Sequence, residues 1–148
     1  MELWLHHGID RQLRDGGINI MNRFIVFICS VVLLQSTAAQ AELPSAMVAT
    51  INQALSSGKP TVIDLGARTC IPCKKMAPIL ESMSNEYRGK ANVLFIDVRE
   101  NKAAAEKFRV QMIPTQIFFN GQGKEVKRHI GFMDKADILK ELKIAGLR

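Results

Sequence analysis

Cysteine and histidine are scarce in this 148-residue chain, three of each, and so are aromatic residues at 6%. The first 41 residues read as a leader and take Cys29, His6 and His7 with them, leaving Cys70, Cys73 and His129. A structural zinc site takes four such ligands, so no metal is expected. Two cysteines three apart close too short a loop to staple a fold. No basic stripe interleaved with aromatics is present, so no nucleic-acid partner is expected. Internal repeats, low-complexity segments and any sign of a second domain are lacking too. The chain's clearest leader-type apolar run falls short of the roughly 20 residues a membrane span needs.

That run, Phe24–Leu34, is 11 residues long and lies in a complete export signal. Met21 opens it, Arg23 supplies a basic n-region, and Ala39-Gln40-Ala41 is an A-x-A cleavage site. Cleavage after Ala41 leaves Glu42–Arg148, a single small domain that is periplasmic or secreted. Without cleavage the same run makes the protein membrane-anchored. A lipid on Cys29 fits less well, because that residue sits inside the apolar core rather than at its end. Met1–Ile20 precedes a signal that has its own Met, and reads as a start placed too far upstream or an extended n-region. The net charge of +6 belongs to Glu42–Arg148, since the leader carries three charges of each sign. Its basic residues alternate with acidic ones, as on a solvated surface. Export would place the domain where disulfides form.

Within that domain, Leu43–Ser57 carries Met47/Val48, Ile51 and Leu55 at helical spacing, stopped by Gly58. Thr61–Leu65 and Asn92–Val98 are short runs rich in β-branched and apolar residues, read as buried strands. Between them Cys70–Tyr87 is a helix with an inner stripe of Ile79/Leu80, Met83 and Tyr87, bent at Pro78. Asn101 caps a short helix, Lys102–Phe108. Thr115–Asn120 and Glu125–Gly131 form a hairpin around a glycine-rich turn. Asp134 with Asp137 opens a last helix whose Ile138/Leu139, Leu142 and Ala145 face inward. The order α-β-α-β-α-β-β-α gives an α/β domain: a central mixed sheet of about four strands, its helix-separated strands parallel and the hairpin antiparallel.

The chemistry gathers at Thr61–Cys73, T-V-I-D-L-G-A-R-T-C-I-P-C. A strand reaches a glycine and a short connector, and a C-x-x-C pair opens the next helix. Free N–H groups and the dipole at a helix start favour an anion, and a thiolate is one. Arg68, Lys74 and Lys75 add positive potential, so Cys70 is expected below the ordinary thiol pKa of ~8.5. Cys73, one turn inward, is expected to be buried. Asp64 stands mid-run in an apolar strand: either it is buried with a raised pKa, or it lies near the strand end and is hydrated.

Taken together these residues resemble the thioredoxin family over essentially all of Glu42–Arg148. Four features carry the likeness: the strand–C-x-x-C–helix unit with Pro72, followed by Pro78; Asp64 six residues before Cys70; Ile113-Pro114-Thr115 ahead of the hairpin; and Gly131 at its far end. The resemblance implies a thioredoxin-like fold and a dithiol–disulfide oxidoreductase without a separate cofactor, its redox group being the Cys70–Cys73 pair. It implies Cys70 as nucleophile, Cys73 as the resolving thiol and Asp64 as a proton relay. Pro114 resembles the family's cis-proline, with Ile113, Thr115, Ile71 and Pro72 forming the substrate-binding surface. The partners implied are protein substrates with disulfides and, for an exported reductase, a membrane thiol-reducing electron donor, with the domain acting as a monomer. Apocytochrome cysteines awaiting haem are one client class the analogy suggests.

Departures from the pattern bear on specificity. Thr69 stands where an aromatic usually precedes the first cysteine, and Gly66 replaces another aromatic. Phe95 occupies the place of a buried lysine near the Asp, and the family's short first strand has no visible counterpart. Pro72 before the second cysteine, in place of a histidine, points to the reducing side. Two other readings stay open: a disulfide-forming or isomerising catalyst, and a non-catalytic peptide-binding module.

Overall fold

Every position of Thr61–Gly66 (β1) is buried, because this strand lies inside the sheet and is covered on both faces. The computed structural model describes residues 42–148, and the expected leader and its cleavage site lie outside them. Along these residues run α1 (Val48–Leu55), β1, α2 (Ile71–Glu86), β2 (Asn92–Asp97), α3 (Lys102–Lys107), β3 (Thr115–Phe119), β4 (Glu125–Ile130) and α4 (Lys135–Ile144). The sheet order is β2-β1-β3-β4, with β1 parallel to β2 and antiparallel to β3, and β3 antiparallel to β4. The expected element order and mixed four-stranded sheet are both present.

Side chains alternate across a strand, so β1 feeds two cores. Val62 packs with Met76, Leu80 and Met83 of α2, Phe118 of β3, and Ile138 and Leu142 of α4. Ile63 and Leu65 pack on the opposite face with Ile51, Ile96, Ala104, Phe108, Ile117 and Phe119. The edge strand β4 is mostly exposed and carries Lys127 and Arg128, charges that discourage edge-to-edge pairing.

Helix caps follow the side chains that favoured them. Asn101 accepts from the Ala104 N–H at 3.0 Å and Asp134 from the Asp137 N–H at 2.9 Å, each satisfying an orphan donor of a first turn. In the hairpin turn Gly123 adopts φ +71°, and a Cβ there would meet the Leu55 carbonyl oxygen at 2.6 Å, so only glycine lets the turn lie against α1.

Two expectations need correction. The helix expected over Leu43–Ser57 spans only Val48–Leu55, and of its apolar positions Met47 and Val48 are 71% and 48% exposed while Ile51 and Ala54 are buried. The helix starts at Val48, with Met47 extended as its N-cap, so the residues before it lie outside the helical period. Nor is the family's first strand wholly absent. Ser45 forms a parallel bridge with Phe95, and the Ala46 N–H donates to the Phe95 carbonyl at 2.7 Å. A one-residue bridge on the free edge of β2 leaves no periodicity in the sequence.

Candidate active site

Cys70 and Cys73 are joined in a disulfide across a Cα–Cα distance of 5.2 Å. Cys70 is the N-cap of α2, half-buried and extended at φ −84°, and its Sγ accepts from the Cys73 N–H at 3.4 Å. The sequence forces this register. Pro72 has no N–H to satisfy and a φ already suited to a first turn, so the helix begins beside it. Cys73 is then turned inward and is 5% exposed, while Ile71 stands out at 73%. Cys70, expected to be exposed, is half-buried, whereas Cys73 is covered as expected.

The connector before Cys70 is tied down by Asp97 at the end of β2. Its Oδ2 accepts from the Arg68 N–H at 3.0 Å and its Oδ1 from the Arg99 N–H at 2.9 Å. Burial pushes this carboxyl up, but the backbone N–H groups of Arg68, Arg99 and Glu100 outweigh it and hold Asp97 below its usual range. The Arg68 side chain is held by partners other than the cysteines. It bonds Glu42 Oε2 at 2.6 Å and the Leu43 carbonyl at 3.0 Å, and stacks 5.1 Å from the Phe95 ring centroid. Its charge is therefore shared with Glu42, while Lys74 and Lys75, which follow Cys73 in sequence, have no ion-pair partner among the described residues.

Asp64 is fully buried in the middle of β1, not hydrated at its end. It stands in a row of three across the sheet, with Phe95 of β2 on one side and Gln116 of β3 on the other. Gln116 Nε2 donates to Asp64 Oδ1 at 2.7 Å. Burial pushes the Asp64 carboxyl from the usual 3.8 up to about 6, and the Gln116 hydrogen bond opposes that rise only in part. Gly66, two residues on and on the same face, lies against Cys73. A Cβ there would sit 3.2 Å from both Cβ and Sγ of Cys73 and 3.3 Å from the Phe95 ring. Phe95 thus fills space beside the inner cysteine, and a cavity of about 20 Å³ remains between Arg68, Cys73 and Phe95, room for a single water.

The Ile113–Pro114 peptide bond is cis, as the resemblance implied. Register places it at the active-site end of the sheet: Thr115 pairs with Leu65 and Ile130, and the Gly131 N–H donates to the Pro114 carbonyl at 2.8 Å. Pro114 and Thr115 are buried, and the Thr115 hydroxyl donates to the Met112 carbonyl at 2.6 Å. Thr115 therefore fixes the loop, while Ile113 is half-buried and Pro72 exposed. The Met133 N–H reaches Met76 Sδ at 3.2 Å, tying the loop after β4 to α2. Met112 and Phe132 in these loops are exposed at 62% and 47%. Sequence reading passed over them, since an apolar residue in a loop has no period to mark it. It passed over Gln116 as well. Among the described residues, no group of three or more His, Cys, Asp or Glu side chains could hold a metal ion.

Residues 44–144 match the family model for thioredoxin. The chain belongs to the thioredoxin family. A thioredoxin from Staphylococcus saprophyticus is 44% identical over 77 residues, covering 52% of this chain and 73% of that protein. A bifunctional thioredoxin reductase/thioredoxin from Mycobacterium leprae is 44% identical over 88 residues, 60% of this chain but 19% of that protein's length. Among solved structures, that of chloroplastic thioredoxin z superposes with a TM-score of 0.61 at 25% identity, covering 71% of this chain and 95% of its own. With family membership and the Cys70–Cys73 pair in hand, the chain is a dithiol–disulfide oxidoreductase with a thioredoxin-like fold. Thioredoxins act on protein disulfides.

Proposed function

We propose that this thioredoxin-family domain is exported and reduces disulfides in protein substrates, with electrons supplied by a membrane thiol donor. The Cys70–Cys73 pair at the N-cap of α2 carries the reading of a dithiol–disulfide couple, and Pro72 in place of a histidine before the second cysteine supports the reducing direction. In the reduced enzyme the Cys70 thiolate faces the first-turn N–H groups and attacks one sulfur of the substrate disulfide. That bond breaks, one substrate thiolate departs, and a mixed disulfide forms. Cys73 then gives its proton to the Asp64 carboxylate and attacks Cys70 Sγ. The second substrate thiolate leaves, and two electrons have passed from the enzyme to the substrate. An Asp64 pKa of about 6 suits the step: near neutral pH the carboxyl is largely ionised, yet basic enough to take a proton. The cis peptide at Pro114 and the exposed Ile71 and Pro72 offer an extended substrate segment backbone partners and apolar contact. No cofactor beyond the cysteine pair is needed.

Direction is a matter of potential. Titrated against glutathione, the pair is expected to have a midpoint near the ~−270 mV of thioredoxin, and a value near ~−120 mV, that of a strong oxidant, would overturn the reductase reading. The A-x-A site at Ala39–Ala41 supports export. Mass spectrometry of protein recovered from outside the cytoplasm is expected to find Glu42 as the first residue. A retained Phe24–Leu34 would place the domain on the membrane surface instead.

A further inference from the structure

Among the described residues the Asp64 carboxyl receives a single hydrogen bond, and its source lies on β3. Phe95, its neighbour on β2, has no hydrogen to donate. Gln116 Nε2 donates at 2.7 Å, and both residues are fully buried. The same nitrogen lies 3.8 Å from Met76 Sδ, a weak acceptor that costs the amide little. Asp64 Oδ2 and Gln116 Oε1 have no hydrogen-bond partner among the described residues. Such orphan acceptors are expensive in a core, and the pairing is therefore more than a way of satisfying buried groups. Beside Asp64 stand Phe95 of β2 and Gln116 of β3, with Met76 of α2 against Gln116 and Met133 behind it, and Cys73 lies against Gly66, two residues along the same face of β1. Only Cys73 among these titrates. The shift at Asp64 accordingly has burial and Gln116 as its causes, with no charged group contributing.

We propose that Gln116 is a positioning residue for the proton relay: it holds the Asp64 carboxyl through Oδ1 and leaves Oδ2 as the free acceptor for the Cys73 proton. This rests on the relay role proposed above. Gln116 does by a neutral amide what a buried cation would do by charge. It favours the carboxylate over the acid without adding a second ion to the core.

The test is the titration of the Asp64 carboxyl, followed by carbon NMR in the disulfide form, where neither cysteine titrates. Gln116→Leu keeps side-chain volume and removes the donor. Its midpoint is expected to rise by about one pH unit, tenfold in the ionisation constant, because a hydrogen bond to the charged form is lost. Gln116→Asn keeps an amide but draws it back by one carbon. It is expected to shift the midpoint the same way, and it carries the test if the leucine variant does not fold. A midpoint unmoved in the folded variants overturns the proposal. A kinetic arm separates positioning from packing. Gln116→Leu is expected to slow resolution of a trapped mixed disulfide in the wild-type background, with no further slowing in Asp64→Asn. Equal slowing in both backgrounds overturns it too. An unmoved midpoint alongside a slow Asp64→Asn variant sinks Gln116 alone; an Asp64→Asn variant as fast as wild type sinks the relay itself.

Discussion

Serine at position 70 is expected to abolish insulin-disulfide reduction, a loss of at least about 10³-fold, since removing a covalent nucleophile leaves only binding. The fold gives the reason. Cys70 is the less buried of the two, set where the N–H of Cys73 points back at its sulfur, while Cys73 is buried against Gly66. A hydroxyl in the same place stays protonated at any accessible pH and cannot attack sulfur. Cys73→Ser is expected to fail differently. It should still form the mixed disulfide and then stall, so it accumulates a covalent complex that Cys70→Ser never forms. The readout is turbidity of reduced insulin in dithiothreitol, with the complex followed on non-reducing gels. Equal and negligible activity in wild type and Cys70→Ser would instead mark the domain as a binding module.

The second large effect concerns stability. Asp64→Asn is expected to make the protein more stable at pH 8 by as much as about 3 kcal/mol, and to change it little at pH 4. Asp64 has a folded pKa of about 6 against the usual 3.8, so the folded state binds its proton more tightly than the unfolded chain does. The stability it contributes is complete below about 3.8 and is lost as the pH rises through about 6. Above that, folding must bury a carboxylate that has one hydrogen bond. Asparagine offers Gln116 the same acceptor without the charge. Urea unfolding at the two pH values checks this. Comparing variants cancels the other carboxylates, and a difference that is the same at both pH values would mean that Asp64 carries no ionisation strain. A buried carboxyl that carries such a cost marks a candidate functional site.

Much of this was legible in the residues, and the failures have physical causes. Strand–turn–helix punctuation around Cys70, Pro72 and Pro78 placed α2 to within a residue at either end, because proline and an N-cap act locally. β1 and β2 were readable as buried runs because a strand covered on both faces cannot hide its composition. Asp64 stood out for the same reason. Gln116 gave the same signal, a polar residue within T-Q-I-F-F, but its meaning depends on register: only once β3 is aligned antiparallel to β1 does position 116 face position 64. Arg68 was read as a cation for Cys70, whereas its nearest anion, Glu42, lies 26 residues away in sequence. Partners chosen by the tertiary fold leave no mark on local spacing.

The crowding at Gly66 ties that position to its neighbours on α2 and β2. With 3.2 Å to Cys73 and 3.3 Å to Phe95, a side chain at 66 enters only if both neighbours give way. Grafting any bulkier residue at 66 therefore has to begin underneath it, with the inner cysteine and the ring on β2 shifted first.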